Sequence, residues 1–300
     1  MEDWGRINAV DRMQKYIIEH IDEHITMREL SDAAGYSLWY SMRIFKELSD
    51  KTPFEFIRAL RLTNAAKALR DSDERVLDVA LESGFDSHDG FTRAFNRQFA
   101  ITPQKYRDTA PPVGYFTYYP IQHYYLYMNK GDEKIMEEKR VSATVTVTSV
   151  ERPERKMIVL RSKRAQDYFS YCEEIGCDWE GVLNSVAERF DDAAIITLPQ
   201  HLIAAGTSAV AAGIEVPADY AKKLPEGYEV IDMPPCRMLY FQGMPYEKEE
   251  DFGEAIGIVL EAIANYRPEL YGRSFAYAAA PQFNFGASTE TGAKIAVPVR

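Results

Sequence analysis

Arg43 and Arg93 stand 50 residues apart in matching surroundings. A guanidinium is the side chain best shaped to donate two parallel hydrogen bonds to a base edge or a phosphate. Each arginine has neighbours of a kind that reaches base edges and phosphates. Around the first are Ser37, Trp39, Tyr40, Met42 and Lys46; around the second are Ser87, His88, Asp89, Thr92, Asn96 and Arg97. The bland alternative is an ordinary helical bundle in which the same residues form a solvated surface.

The two sets belong to an internal repeat. Ser37, Arg43, Phe45, Thr52 and Pro53 recur as Ser87, Arg93, Phe95, Thr102 and Pro103, and Phe56 is echoed by Tyr106. Upstream of each copy is a short segment ending in a glycine turn, Leu30 to Tyr36 and Val79 to Phe85. Each copy therefore reads helix, turn, helix. That unit needs a small residue where the helices cross, here Ala34 or Ala80, and a glycine able to take positive φ at the turn. In the first copy Leu38, Ser41, Phe45 and Leu48 are assigned to the inner face, and in the second Phe91, Ala94, Phe95 and Phe99. Between the copies Pro53 suits a first helical turn, and Phe54 to Leu69 holds no Pro or Gly, so a continuous helix is expected to hold the units apart. Were their spacing close to one turn of duplex, roughly 34–36 Å, one chain could read two successive major-groove segments.

Helical spacing begins earlier, at Ile7, Val10, Met13, Ile17 and Ile21, and continues to about Arg107. From Thr144 the text turns to β-branched alternation and short apolar runs broken by Pro and Gly. The predicted organisation is a helical domain over 1–110, an aromatic-rich connector over 111–143 that opens on Pro111 and Pro112, and an α+β domain over 144–300. The connector carries Tyr115, Phe116, Tyr118, Tyr119, His123, Tyr124, Tyr125 and Tyr127. So much apolar surface should seek a partner, either between the domains as a relay or in purely local packing.

Composition narrows the function classes. The 300 residues are 46% apolar and 27% charged, which suits about two folded domains and excludes disorder and a disulfide scaffold. A net charge of −11 argues against a polybasic nucleic-acid coat or a membrane-surface anchor. The first 110 residues hold 16 basic and 19 acidic side chains, so DNA binding there must depend on individually placed Arg and Lys contacts. Cys172, Cys177 and Cys236 include no C-x-x-C pair, which suits a reducing cytoplasm; Cys172 and Cys177 are read as buried or half-buried thiols, with a redox pair as the alternative. The five histidines form no metal or nucleophile pattern, and Gly286 to Lys294 has the wrong spacing for a phosphate-binding loop. No cofactor, metal site or membrane span is expected, and the acidic amino terminus is unlike a secretory signal.

Residues from about Ile7 to Arg107 resemble the DNA-binding domain of the AraC/XylS family of transcription regulators. The likeness rests on Leu30-Ser31-x-Ala33-Ala34-Gly35-Tyr36-Ser37, on Arg43-Ile44-Phe45-Lys46, and on Gly84-Phe85-x-Ser87 continuing through Phe91, Arg93, Phe95, Phe99, Thr102-Pro103 and Tyr106-Arg107. It implies seven helices, recognition helices near Leu38–Leu48 and Ser87–Gln98, promoter DNA as partner and transcription control as role. RNA polymerase is a further partner consistent with that role, and the chain is read as a monomer or homodimer. Asp50 and Ala100 stand where the family usually has Gly, Ser41 where it usually has Leu, and Asn96 where Lys is common; Gly90 is expected to weaken the second recognition helix by roughly 1 kcal/mol relative to Ala.

The second half reads as strands over Thr144–Val150, Lys156–Arg161, Leu202–Thr207, Ala212–Val216, Tyr228–Asp232, Cys236–Gln242, Phe275–Ala280 and Lys294–Val299, with helices near Trp179–Arg189 and Lys248–Tyr266. Two strand-helix-strand-strand halves in series are predicted. With Val150-Glu151-x-Pro153, Ala211 to Val216, Pro234 to Met238 and Ile295 to Val299, this half is similar to the GyrI-like small-molecule-binding domain. The resemblance implies a groove for a small, aromatic or cationic effector. Candidate lining residues are Tyr168, Phe169, Trp179, Glu180, Glu215, Tyr240, Tyr277, Phe283, Asn284 and Phe285, with core packing as the bland reading for half of the aromatics. Relatives often carry a glutamate where this chain has Asn284, and a neutral amide supplies no counter-charge to a cation; Glu174, Glu180 or Glu215 is the substitute. The leading expectation is a cytoplasmic, non-enzymatic, ligand-responsive regulator. Two alternatives stay open: a GyrI-like hydrolase of small electrophiles, and a sequestering or antirepressor protein.

Overall fold

The computed structural model describes residues 4–122 and 144–300. Among them, 4–110 and 115–122 form one compact unit, and 111–114 with 144–300 form a second. His123, Tyr124, Tyr125, Tyr127 and the remainder of the expected connector to residue 143 lie outside the described residues.

The first unit runs through α1 (Trp4–Glu19), α2 (Met27–Ala34), α3 (Leu38–Ser49), α4 (Pro53–Asp71), α5 (Val76–Glu82), α6 (His88–Phe99) and α7 (Pro103–Thr109). The stripe of Ile7, Val10, Met13 and Ile17 is buried in full, against Leu30, Ile44, Phe45 and Phe56. The repeat is legible in the end of every helix. Gly35 and Gly84 close α2 and the α5 turn at φ 73° and 74°. Ser37 and Ser87 then cap α3 and α6 by accepting from the Tyr40 and Gly90 amides, satisfying donors that a helix start leaves unpaired. Thr52-Pro53 and Thr102-Pro103 open the next helix in each copy. Ala34 and Ala80 are buried, as a close helix crossing requires. At 19 residues, α4 is about 28 Å long.

Two details, at Leu38 and Gly90, differ from the sequence reading, whereas Ser41 is inward as expected. Leu38, assigned inward, is 50% exposed, because the inner face of α3 is made by Ser41, Ile44 and Phe45. The buried Ser41 hydroxyl has no hydrogen-bond partner among the described residues. Gly90 stands in the first turn of α6, where its amide feeds the Ser87 cap and an added Cβ would meet Ser87 Oγ at 3.0 Å, so alanine there gains less than an interior site would.

Asp50 and Ala100 end α3 and α6 in the left-handed region, at φ 56° and 55°. An L side chain pays roughly 1 kcal/mol for that conformation. Ala100→Gly is therefore expected to stabilise the helical unit by about 1 kcal/mol, read as a raised urea midpoint; no gain would mean that glycine's greater freedom in the unfolded chain offsets the relief.

The described part of the aromatic segment packs on this same unit. The Tyr115 ring is buried beside Phe99, with its hydroxyl 2.8 Å from that of Tyr106. The Phe116 amide donates to Thr63 Oγ1, the Phe116 ring meets Phe56 edge-on, and the Ile121 amide donates to Gln14 Oε1.

The second unit is an eight-stranded antiparallel sheet with helices on one face. Its elements are β1 (Thr146–Arg152), β2 (Arg155–Arg161), α8 (Tyr168–Ile175), α9 (Trp179–Asn184), β3 (Ala194–Thr197), β4 (Val210–Pro217), β5 (Tyr228–Met233), β6 (Cys236–Gln242), α10 (Phe252–Asn265), β7 (Gln282–Ser288) and β8 (Gly292–Val299). The order across the sheet is β1-β6-β8-β7-β3-β4-β2-β5. It repeats about its centre: β2, β4 and β3 mirror β6, β8 and β7. The leading strand of each half crosses over, β1 to pair with β6 and β5 with β2. Alternation divides the sheet into two faces. Ile158, Ile195, Ala212 and Ile214 meet α8 and α9, and Leu239, Phe241, Ile295 and Val297 meet α10. Met157, Val159, Ile196, Ala211, Met238, Phe283 and Ala296 form a third cluster on the opposite face.

Some sequence assignments shift. The segment read as a strand at Leu202–Thr207 begins in a 3-10 turn over Gln200–Leu202 and contains Gly206 at φ 78°; the strand is the shorter apolar run Ala194–Thr197. Only Phe275 of Phe275–Ala280 pairs, as a lone bridge to Val299, and the strand follows at Gln282–Ser288. The helix read from Trp179 to Arg189 ends at Asn184, and α8 was not foreseen.

Candidate functional site

On α3 the outward side chains are Leu38, Trp39, Met42, Arg43, Lys46 and Glu47, with Trp39 69% exposed. The Arg43 guanidinium lies 5.0 Å from the centroids of both the Trp39 and Tyr40 rings, and its Nε is 3.5 Å from Glu47 Oε1. Glu47 also pairs with Arg6. Tyr40 is half-buried and meets Tyr36 edge-on. Arg43 is thus held by two rings and a carboxylate before any nucleic acid arrives.

On α6 the outward side chains are His88, Asp89, Arg93, Asn96 and Arg97. The side chains of Arg93, Asn96 and Arg97 have no hydrogen bond or ion pair among the described residues. His88 lies 3.8 Å from Asp89. Thr92 is half-buried, with its hydroxyl out of solvent and unpartnered, and so belongs to the margin of this surface. Ser37 and Ser87 are exposed caps whose hydroxyls are occupied by backbone amides.

The candidate ligand residues divide by face of the sheet. Tyr168, Phe169, Trp179 and Glu180 are on α8 and α9; Trp179 is buried against Tyr171. Tyr277 is 44% exposed and stacks on Phe275. Asn284 pairs with Ile195 in the sheet, turns toward the helix side and accepts from the Gly286 amide at 2.9 Å. It is therefore apart from Phe283 and Phe285, its own neighbours in sequence.

Glu215, Tyr240, Phe283 and Phe285 do come together, on the face without helices. Tyr240 and Phe285 stack at 6.1 Å, and Phe285 stacks on Phe283 at 6.0 Å. The Tyr240 hydroxyl donates to Asp191 Oδ2 at 2.6 Å. Lys294 reaches Asp191 Oδ1 at 2.8 Å and lies 4.3 Å from the Phe285 centroid. Arg152 pairs with both Asp191 and Glu215, and Arg155 Nε donates to Glu215 Oε1 at 2.5 Å. Burial pushes the Glu215 carboxyl above its usual range against the pull of the two guanidiniums. Burial pulls Arg152 down, but Tyr240, Glu215 and Asp191 together raise it. Beside the network an open concavity of about 360 Å³ is lined by Ala187, Arg189, Phe190, Asp191 and Asp192. Sequence reading missed Arg152, Arg155, Asp191 and Lys294. The arginines stood in what looked like a turn, and nothing in the text links residue 191 to residues 240 or 294.

Among the described residues, no helix is long and apolar enough to cross a membrane, and no group of His, Cys, Asp or Glu is placed to hold a metal ion.

A family model described as a helix-turn-helix domain matches residues 30–109. The regulatory protein SoxS of Salmonella typhimurium is 36% identical over 98 residues, covering 33% of this chain and 92% of that protein. The chain belongs to the AraC family of helix-turn-helix proteins. The right origin-binding protein of Escherichia coli K12 is 43% identical over 88 residues, which cover 29% of this chain and 30% of that protein; the chain thus spans less than a third of that relative. A crystal structure of a probable AraC family transcriptional regulator from Rhodopseudomonas palustris is 26% identical over 34% of this chain and 95% of the other, with a TM-score of 0.33.

In this AraC-family domain the Glu47 carboxylate offsets the charge of Arg43 and Arg6. Glu47→Gln keeps the shape, removes the charge and frees Arg43, and is expected to tighten non-specific duplex binding several-fold with a steeper salt dependence. An unchanged salt slope in a fluorescence-anisotropy titration would mean that Arg43 does not meet the backbone.

Proposed function

We propose that the protein is a transcription regulator that reads promoter DNA with α3 and α6 and answers to a small organic effector bound by its sheet unit. The observation that carries the reading is the duplicated helix-turn-helix, alike in its glycine turns, serine caps and Thr-Pro helix starts, with both outward faces exposed and cationic. The contacting residues are Trp39, Met42, Arg43 and Lys46 from the first unit and His88, Asp89, Arg93, Asn96 and Arg97 from the second. Ser37 and Ser87 serve as caps that can also offer a hydroxyl to a phosphate, and Tyr40 and Thr92 support the margin. Because the surface has cations in place but no net positive domain charge, binding leans on these contacts more than on a general field.

The sheet unit resembles a GyrI-like domain in its two halves, and the ring stack of Tyr240, Phe285 and Phe283 is the part of it suited to a flat effector. Asp191 and Glu215 are already neutralised by Arg152, Arg155 and Lys294. That favours a neutral or anionic aromatic over a cation, since no carboxylate is left to pair with one. Regulation requires that effector binding shift affinity for DNA, and the converse, by the same factor.

Genome-wide occupancy of the full chain, with and without cell extract, tests the regulator reading. Discrete promoter peaks support it, with a change on adding extract; uniform occupancy at the level of bulk DNA overturns it. Release of product over multiple turnovers from small electrophiles, with no promoter occupancy, would favour a hydrolase instead.

A further inference from the structure

Cys172 and Cys177 face each other across the turn that ends α8. Cys172 is in the helix; Gly176 closes it, donating its amide to Cys172 O at 2.9 Å, and its φ of 89° reverses the chain so that Cys177 comes back alongside. Glycine at such a φ is what lets the chain turn so tightly. The Cys177 thiol hydrogen-bonds the Cys172 sulfur, and Tyr168, one helical turn earlier, is a further donor toward it. The Trp179 indole nitrogen is buried and has no hydrogen-bond partner among the described residues. The other titratable groups facing the pair are Glu180, Asp178 and Tyr171. The donors, Cys177 first, outweigh burial and the Glu180 charge, and hold the Cys172 thiol below its usual range. Cys177, which gives its hydrogen bond to Cys172 and is partly desolvated, is pushed up. Both sulfurs are half-buried, and neither is in a disulfide.

We propose that Cys172 and Cys177 form a thiol–disulfide exchange site for low-molecular-weight disulfides, with Cys172 the attacking sulfur and Cys177 the resolving one. The Cys172 thiolate attacks one sulfur of R–S–S–R; that S–S bond breaks, R–S⁻ leaves, and a mixed disulfide remains on Cys172. Cys177 gives up its proton to the departing thiolate and attacks the Cys172 sulfur, expelling the second R–S⁻, which takes a proton from water. The two protein thiols are oxidised to one intramolecular disulfide and R–S–S–R is reduced to two R–SH. An attacking sulfur whose thiolate is stabilised by neighbouring donors is the favourable case for the first step, and a neighbouring thiol on a tight turn is the favourable case for the second. The site is independent of the regulator reading above. Cys236 is the built-in control: it is also half-buried, but Arg155 donates to its sulfur at 3.1 Å and burial raises it.

The test uses the reduced full chain with glutathione disulfide at pH 7, read by intact mass, thiol count and peptide mapping. Two of the three thiols are expected to disappear with loss of two hydrogens and no retained glutathione, in a peptide pair joining residues 172 and 177. Cys177→Ser should hold one glutathione on Cys172, and Cys172→Ser should react at least tenfold more slowly than the wild type. On the unmutated chain at pH 7, iodoacetamide should alkylate Cys172 about tenfold faster than Cys236, since donors to its sulfur favour the Cys172 thiolate while burial disfavours that of Cys236. A stable mixed disulfide on the wild type, a disulfide involving Cys236, unchanged thiol count, or equal alkylation of Cys172 and Cys236 would each overturn the assignment.

Discussion

Arg93→Ala is expected to weaken binding to a specific operator by about 10- to 100-fold while leaving the fold intact. The magnitude is that of one bidentate guanidinium–base contact, roughly 1–3 kcal/mol. Arg93 is the side chain on α6 best placed for this effect, being exposed, central in the outward face and uncommitted to any protein partner among the described residues. An exposed, unpaired side chain contributes little to stability, so the urea midpoint should move by less than about 0.5 kcal/mol. Arg43→Ala should cost less, near 10-fold, because Glu47 and the Trp39 and Tyr40 rings already hold that guanidinium. Lysine at position 93 distinguishes the contact types: it rescues a phosphate contact but not a bidentate base contact. Operator affinity unchanged by Arg93→Ala, in gel-shift titrations at fixed salt, would remove the assigned role.

Glu215→Ala carries the largest expected stability effect, a loss of about 3–5 kcal/mol from the sheet unit. The Arg155 side chain is fully buried, and its partners are Glu215, the Pro153 and Pro234 carbonyls and the Cys236 sulfur. Removing Glu215 leaves that guanidinium without a counter-charge where water cannot replace it. The cost lies in breaking the pair rather than in lacking it, so Glu215→Met with Arg155→Met should recover most of the loss. Trp179 is the one tryptophan beyond residue 39, so Trp4→Phe with Trp39→Phe gives a background in which fluorescence reports the sheet unit alone. A loss below about 1 kcal/mol in urea unfolding would show that solvent reaches the pair.

Both arguments depend on how side chains are paired, and this is where the sequence was least legible. Arg93 and Glu215 were recognisable as candidates by type and position. That Arg93 is unpaired while Arg43 is held, and that Glu215 is tied to Arg152 and Arg155, was not. Leu38 shows the same limit at small scale. Helical spacing placed it with Ser41 and Phe45, but it is the first residue of its helix, where the preceding turn leaves its side chain beyond the edge of the core. The strand at Ala194–Thr197 was missed because three consecutive buried apolar residues, Ala194, Ile195 and Ile196, show no alternation.

The sequence by itself determined the helical unit: the apolar stripe of α1, the glycine turns, the serine and threonine caps and the 50-residue repeat. These are local interactions, each made within a few residues, so their signals stand next to one another in the text. Only the tertiary structure decided the exchange of β1 and β5 between halves, the turning of Asn284 away from Phe283 and Phe285, and the joining of Asp191 to Tyr240 and Lys294. Those contacts link residues about 50 to 100 positions apart through strand register and sheet face, and a one-residue change of register would have turned each side chain to the opposite side.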